Sequence, residues 1–390
     1  MKIGIETLTS AKPNSKDWGS CLLLCNQASL TRDFIPSWEV FHDLLGDQLK
    51  GFLGPQHGFL ATVQDNMIET THSKGPYDLP VYSLYSETRE PTDEMLEGVD
   101  TILIDLQITG CRVYTFKYTI AGCLRRAQKL GKRVVLFDRP NPLGGVAVEG
   151  RVLDADATSF VGQFQIPMRH GLTAGEAARY FNQGIGAELD VIPLEGWDPH
   201  HYWHQLERPW VLTSPNLPTI DGVYTYPGTV LLEGCNLSEG RGTGHPFLFI
   251  GAPYIKDAEE YTHRVAHHYR SEGVHLRPTF FMPTSQKWQD ETCRGLQIHV
   301  TSPKDLRSYR LGLALLAAGI ESGGFEFTKP PYEYDYETLP MKLIVGNRSV
   351  DERLTSQFNI DDDFWTEGIE GYIGQAKEVL LYERSQILFK

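Results

Sequence analysis

Long hydrophobic runs are missing from this 390-residue chain. No stretch approaches the roughly 20 consecutive apolar residues that a membrane span needs, so no membrane partner is expected. The opening residues, MKIGIETLTSAKPNSKDW, hold no apolar segment of the kind a secretory leader carries. Cysteine is scarce: six residues, at 21, 25, 111, 123, 235 and 293, with no CxxC pair. Such spacing gives neither a disulfide framework nor a zinc site. Cys21 and Cys25, in CLLLC, share one face of a strand and read as reduced core residues, which suggests a cytoplasmic setting. Positive charge is short too. Lys and Arg total 36 against 50 Asp and Glu, a net charge of −14, and no basic face is apparent to track a phosphate backbone. Nucleic acid is not an expected partner.

Several catalytic signatures are also absent. There is no GxGxxG after the first strand and no GxxxxGK[ST], so a nucleotide site of familiar type is not expected. GRGTG at 240–244 is glycine-rich but lacks the strand–helix context of a phosphate loop. HExxH is missing, and His263, His267 and His268 on one helix read as surface histidines. Without GxSxG, an α/β-hydrolase nucleophile is not expected.

The chain does contain 41 % hydrophobic and 22 % charged residues with no low-complexity tract, the composition of a folded protein. Its length favours two domains. Short apolar runs predict strands at Cys21–Cys25, Leu49–Leu53, Val81–Leu84, Thr101–Leu106 and Arg133–Phe137. Helices are predicted at Ile35–Leu45, Thr92–Leu96, Thr115–Leu130 and Ala174–Asn182, with a further strand at Leu189–Leu194. Apolar strands alternating with helices predict a doubly wound parallel sheet. The pattern breaks between Trp197 and Pro218, which divides the chain into 1–205 and a smaller α/β unit, 206–390. In the latter, helices are predicted at Ala258–Ser271, Leu306–Glu321 and Glu367–Tyr382, and strands at Val274–Met282 and Leu296–Thr301.

Ligands of parallel sheets bind beyond the carboxyl ends of the strands. Polar residues recur there: Asn26 and Gln27; Gln56 and His57; Asp105, Gln107, Arg112 and Tyr114; Asp138, Arg139 and Asn141. Such a set suits a polar ligand pocket. Carboxylates beside hydrogen-bond donors suit glycoside cleavage, which needs an acid for the leaving oxygen and a base or nucleophile for the oxocarbenium-like centre. Thr173-x-x-Glu176 has capping-box spacing and is read as a helix start rather than as chemistry.

The ordered blocks GPQHGF (Gly54–Phe59), SLYSETREPT (Ser83–Thr92), DLQITGCRVYTF (Asp105–Phe116), DRPNPLGG (Asp138–Gly145), PMRHGLTAGE (Pro167–Glu176), SPNLPT (Ser214–Thr219) and YPGTVLLEGCNLSEGRGTGHPF (Tyr226–Phe247) resemble the exo-β-N-acetylmuramidases. The resemblance spans nearly the whole chain. It implies a Rossmann-like N-terminal domain, a smaller α/β C-terminal domain and an active cleft between them. It also implies hydrolysis of the β-1,4 bond that joins a terminal N-acetylmuramic acid to N-acetylglucosamine, without metal, nucleotide or other cofactor. The expected partner is a saccharide or muropeptide, bound by a monomer or homodimer.

The catalytic candidates are Glu239, Asp105, Glu69, His57 and Tyr114. The substrate-binding candidates are Gln56, Asn66, Arg112, Asp138, Arg139, Asn141, Arg169, His170, Asn216 and Arg241. A guanidinium fork suits the lactyl carboxylate of muramic acid, and Arg241, Arg112, Arg139 and Arg169 compete for that role.

The chain departs from the family pattern at several points. The family commonly has Glu, its leading candidate for the catalytic acid, where Gln56 stands. Ile108 replaces a common Asp, Leu60 a common Arg, and Cys235 a common Thr. Asp65 and Glu69 are nearby carboxylates able to take over the acid role. Two alternatives stay open: a hydrolase of the same fold acting on a different sugar acid or glycoside, and a muramyl-sugar-binding protein without catalysis. Retention or inversion of the anomeric centre also stays open.

Overall fold

The structure, a computed structural model, describes residues 1–390 apart from 12–14, 65–66, 271, 357, 385–386 and 390. In chain order its strands are β1 (Cys21–Leu24), β2 (Leu49–Gly54), β3 (Ser73–Lys74), β4 (Pro80–Ser83), β5 (Thr101–Ile104), β6 (Arg133–Phe137), β7 (Ala147–Val152), β8 (Pro167–Arg169), β9 (Glu188–Ile192), β10 (Phe249–Ala252), β11 (Val274–Phe281), β12 (Cys293–Val300) and β13 (Leu388–Phe389). Seven of them form one sheet in the order β3-β4-β2-β1-β5-β6-β9. Every neighbouring pair is parallel except β3 with β4, at one edge. β1 and β5 are buried along their whole length. Burying each Leu or Ile side chain there contributes roughly 1.5–3 kcal/mol, and a strand buried on both faces reads as a continuous apolar run.

Helices α1 (Gly4–Ala11), α2 (Ser37–Leu45), α3 (Phe116–Leu130) and α4 (Ala174–Ile185) pack on this sheet. α3 stops at Gly131, whose φ of 62° only glycine adopts without cost. α4 starts with the reciprocal Thr173–Glu176 capping box that its sequence predicts. The strand order reverses direction between β1 and β5, so the loops after β1, β2 and β5 open a crevice at one end of the sheet.

The second half follows α5 (Ile220–Thr229). An antiparallel sheet, β10-β12-β11, packs with α6 (Ala258–His268) and α7 (Ser308–Glu321). α5 meets α7 at two glycines. A Cβ on Gly228 would lie 1.7 Å from the Ser308 carbonyl, and one on Gly312 2.3 Å from the Gly228 carbonyl. Any side chain at either position would force the helices apart and displace what α5 carries.

The C-terminal segment runs back to the first half after α8 (Pro340–Val345), α9 (Val350–Ser356) and α10 (Ile369–Ala376). β13 adds to the small β13-β7-β8 sheet. Tyr382 donates to Asp138 at 2.5 Å, Leu381 N donates to Glu176 at 3.0 Å, and Arg384 pairs with Glu176. Those anchors explain why the helix predicted over Glu367–Tyr382 covers only Ile369–Ala376. Thr92–Leu96 is likewise not a helix. It forms overlapping turns ended by Gly98 at φ 69°, too short to propagate. All six cysteines are buried free thiols. No helix among the described residues is long and apolar enough to cross a membrane.

Candidate active site

A pocket opens where the crevice of the large sheet meets the second half. Gln56 and His57 come from the loop after β2, and Tyr114 and Thr115 from the segment that leads into α3. Asn216 precedes α5, Tyr226 lies on it, and Glu233 and Arg241 follow it. Tyr332 and Glu333 arrive from a distant loop.

Buried interactions fix each wall. Lys117, on the first turn of α3, donates to the carbonyls of Cys111, Arg112 and Tyr114 at 2.5, 2.9 and 2.5 Å. Burial pulls its pKa down to about 7. Tyr114 donates to Thr213 Oγ1 at 2.7 Å, which ties the loop after β5 to the segment before α5. His57 has φ 68°, a left-handed backbone that few residues other than glycine adopt. Its Nδ1 lies 2.7 Å from the Val63 carbonyl. A carbonyl only accepts, so Nδ1 carries the proton and Nε2 is left as an acceptor. Burial, reinforced by Arg241, lowers the imidazole pKa to about 4. His57 is therefore neutral near pH 7.

Two glutamates line the pocket and a third lies behind it, in different electrostatic settings. Glu233 is held by Arg241 at 2.6 Å and by the Tyr332 hydroxyl at 2.7 Å. Glu239 lies behind Arg241. It pairs with Lys287 at 2.8 Å and Arg241 at 3.3 Å and does not line the pocket. Burial pushes its pKa upward, but the two cations outweigh burial and hold it below the ordinary carboxyl range. Glu333 is the reverse case. It accepts from Gln56 Nε2 at 3.0 Å and from Tyr85 at 2.8 Å, and among the described residues no cation lies within ion-pair distance, although the charge of Arg241 reaches it. Burial, reinforced by the charge of Glu233, raises its pKa.

The chain matches the family models described as exo-β-N-acetylmuramidase NamZ, N-terminal, over residues 21–221, and C-terminal, over 224–382. The chain belongs to the exo-β-N-acetylmuramidase family. One relative, the peptidoglycan β-N-acetylmuramidase NamZ of Bacillus subtilis (strain 168), is 36 % identical over 319 residues, which cover 81 % of this chain and 76 % of the relative. A crystal structure of a DUF1343 family protein from Bacteroides fragilis NCTC 9343 superposes with a TM-score of 0.86 at 26 % identity, covering 98 % of this chain and 99 % of its own. A second DUF1343 structure from the same organism has a TM-score of 0.73 at 22 % identity, again over 98 % and 99 % of the two chains, and shares the fold.

Set against this muramidase family, the sequence candidates separate into three groups. Gln56, His57, Tyr114, Asn216 and Arg241 line the pocket together. Glu239 and Glu69 do not line it. Glu69 is half-exposed and faces Arg89 at 3.6 Å, and the Arg89 guanidinium sits between the rings of Tyr85 and Tyr334. The remaining candidates lie in the core and hold backbone. Asp105 and Arg139 form a two-point ion pair at 2.6 and 2.7 Å. Asp138 accepts from Thr173, Gly175 N, Arg139 N and Tyr382. Asn141 bridges Leu172 and Leu143. Arg112 donates to the carbonyls of Arg151, Ile166, Ile344 and Val345, which joins the two halves. Arg169 pairs with Glu149 at 2.6 Å, and His170 Nδ1 accepts from Leu172 N at 3.1 Å. Asn66 and Asp65 lie outside the described residues.

Glu233, Tyr332 and Glu333 are pocket residues that sequence reasoning missed. YEY at 332–334 offers no motif, and Glu333 lies 277 residues from its partner Gln56. Among the described residues, no group of His, Cys, Asp and Glu is arranged to hold a metal.

Proposed function

We propose that this chain is an exo-acting β-N-acetylmuramidase, hydrolysing the bond between a non-reducing N-acetylmuramic acid and the sugar that follows. The observation that carries this reading is the pocket itself: two carboxyl groups, Glu233 and Glu333, face a neutral imidazole and one guanidinium, in a chain matched almost end to end by the muramidase models. Glu233, held by Arg241 and Tyr332, would face the positive charge that develops at the anomeric carbon. His57 Nε2 would accept from a sugar hydroxyl. Nε and Nη2 of Arg241 engage Glu239 and Glu233, leaving Nη1 to meet the lactyl carboxylate. The core arginines are engaged with backbone or with buried acids. Units 1–205 and 206–390 would form the two walls of the cleft. Six free thiols support a reducing compartment, where the enzyme would act on wall fragments already taken up.

Gln56 motivates a second reading, in which the family fold serves a different glycoside or binds muramyl sugars without turnover. Release of p-nitrophenol from p-nitrophenyl β-N-acetylmuramide, with the N-acetylglucosaminide as control, separates them. The proposal predicts turnover of the muramide alone. Turnover of neither, by folded protein, would contradict it.

A further inference from the structure

Protonating the departing oxygen is the step that Gln56 cannot perform, because an amide has no proton to yield in the useful pH range. The carboxyl nearest to it is not Glu69, which is half-exposed and beside Arg89. It is Glu333. Thr115 donates its hydroxyl to Gln56 Oε1, which turns the amide so that Nε2 faces Glu333 Oε1 at 3.0 Å. On the other side the Tyr85 hydroxyl reaches Oε2 at 2.8 Å. Both donors are neutral; the Gln56 amide only donates, so Oε1 stays an acceptor and the acid proton belongs on Oε2, where the Tyr85 hydroxyl, which also accepts from Met67 N at 3.0 Å, can accept instead of donating.

Location gives a second, independent argument. Next to the pocket runs a groove lined by Phe160, Tyr334 and Tyr336, and the residues shared by pocket and groove are Tyr332 and Glu333. A scissile bond lies between the sugar that is released and the group that leaves, so the acid belongs at such a junction. The backbone gives a third. Glu333 and Tyr334 have φ of 46° and 67°, left-handed conformations that persist at non-glycine residues only where the surroundings enforce them. Burial and the neighbouring charge of Glu233 favour the protonated carboxyl.

We propose that Glu333 is the general acid of this enzyme, with Gln56 as its positioning residue and the Phe160–Tyr334–Tyr336 groove as the site of the leaving sugar. This rests on the muramidase reading. The Glu333 carboxyl gives its proton to the glycosidic oxygen. The bond from that oxygen to C1 breaks, its electron pair stays on the oxygen, and the second sugar leaves as an alcohol. Water adds to C1, and its surplus proton returns to the Glu333 carboxylate directly or through solvent.

The test uses Glu333→Gln on two substrates that differ in their need for an acid. The unactivated disaccharide, muramic acid joined to N-acetylglucosamine, must be protonated as it leaves; p-nitrophenolate leaves unaided. The expected result is a fall in kcat of about 100- to 10,000-fold on the disaccharide, a fall of less than about tenfold on the aryl muramide, and loss of the alkaline limb of the pH–rate profile. Equal losses on both substrates, or a disaccharide rate within threefold of wild type, would overturn the role of Glu333 while leaving the muramidase reading intact. Wild-type silence on both substrates would overturn the two together. Should Glu333→Gln fail to fold, Gln56→Glu supplies the readout. A second carboxyl at 3.0 Å must share a proton with Glu333, so the alkaline limb moves to higher pH. An unshifted limb would contradict the proposal.

Discussion

The side-chain amide of Gln56 donates to the carboxyl of Glu333 at 3.0 Å, across 277 residues of sequence. The contact joins the loop after β2 to the Tyr332–Tyr334 loop, so the two halves of the chain meet at the pocket rather than beside it. It also shows how the family's usual Glu can be missing from position 56 while a buried carboxyl remains within one hydrogen bond of the same place. His57, Arg241 and Glu233 complete the setting: burial keeps the imidazole neutral, while Arg241 holds Glu233 at 2.6 Å.

Glu239 is expected to act through Arg241. In Glu239→Gln, Lys287 and Arg241 lose a buried counter-charge, which costs on the order of 3 kcal/mol of stability. Below the melting temperature, kcat should stay within about tenfold of wild type. Denaturant titration and steady-state rates together check this. A loss above 100-fold with unchanged stability would place Glu239 in the chemistry itself.

His57 couples backbone strain to function. Asn tolerates a left-handed backbone, so His57→Asn should fold. Losing one hydrogen bond to the substrate should lower kcat/KM by roughly 10- to 100-fold. His57→Val should cost about 1–2 kcal/mol more stability than His57→Asn, because a β-branched residue fits φ 68° poorly. Equal stabilities of the two variants would argue against the strained turn.

Arg112 should be important to folding and nearly silent in catalysis. Arg112→Met leaves four buried carbonyls without their donor, from Arg151, Ile166, Ile344 and Val345. Stability should drop by about 3–5 kcal/mol with KM unchanged in the folded fraction. Differential scanning calorimetry beside KM measurement would detect the alternative, a raised KM at unchanged melting temperature.

Asp138 makes stability depend on pH in a definite sense. Burial pushes its carboxyl up to about 7 in the folded protein, against an ordinary value of 3.8. The folded state thus binds the proton more tightly than the unfolded one. That contribution is fully present below about pH 4 and is lost as pH rises toward 7. The melting-temperature advantage of wild type over Asp138→Asn should therefore shrink between about pH 4 and pH 7 and level off above. A constant difference across that range would contradict the assignment.

The large sheet was legible because β1, β5 and β6 are short, apolar on both faces and separated by helical periodicity. The α4 cap was legible for a similar local reason: Thr173 and Glu176 carry their geometry within one turn. The helix predicted at Thr92–Leu96 failed because a start signal does not guarantee a helix where Gly98 follows so soon. Site residues were harder. Polar types at strand ends pointed to the end of the sheet where the pocket lies, but the same types also serve as anchors. Asp105, Asp138 and Arg112 satisfy backbone and one another in the core, and no sequence period separates that use from catalysis. Glu233 and Glu333 were missed because their importance comes from burial and distant partners, which spacing does not encode.

The most direct test of the central claim is product analysis on wall fragments with defined ends. The enzyme is incubated with oligosaccharides that begin at the non-reducing end with N-acetylmuramic acid or with N-acetylglucosamine, and mass spectrometry follows the products over time. Free N-acetylmuramic acid is expected from the first set, one residue released per chain before cleavage stops at the exposed N-acetylglucosamine, and no change in the second. Cleavage inside the chains, or release of N-acetylglucosamine from the second set, would contradict it.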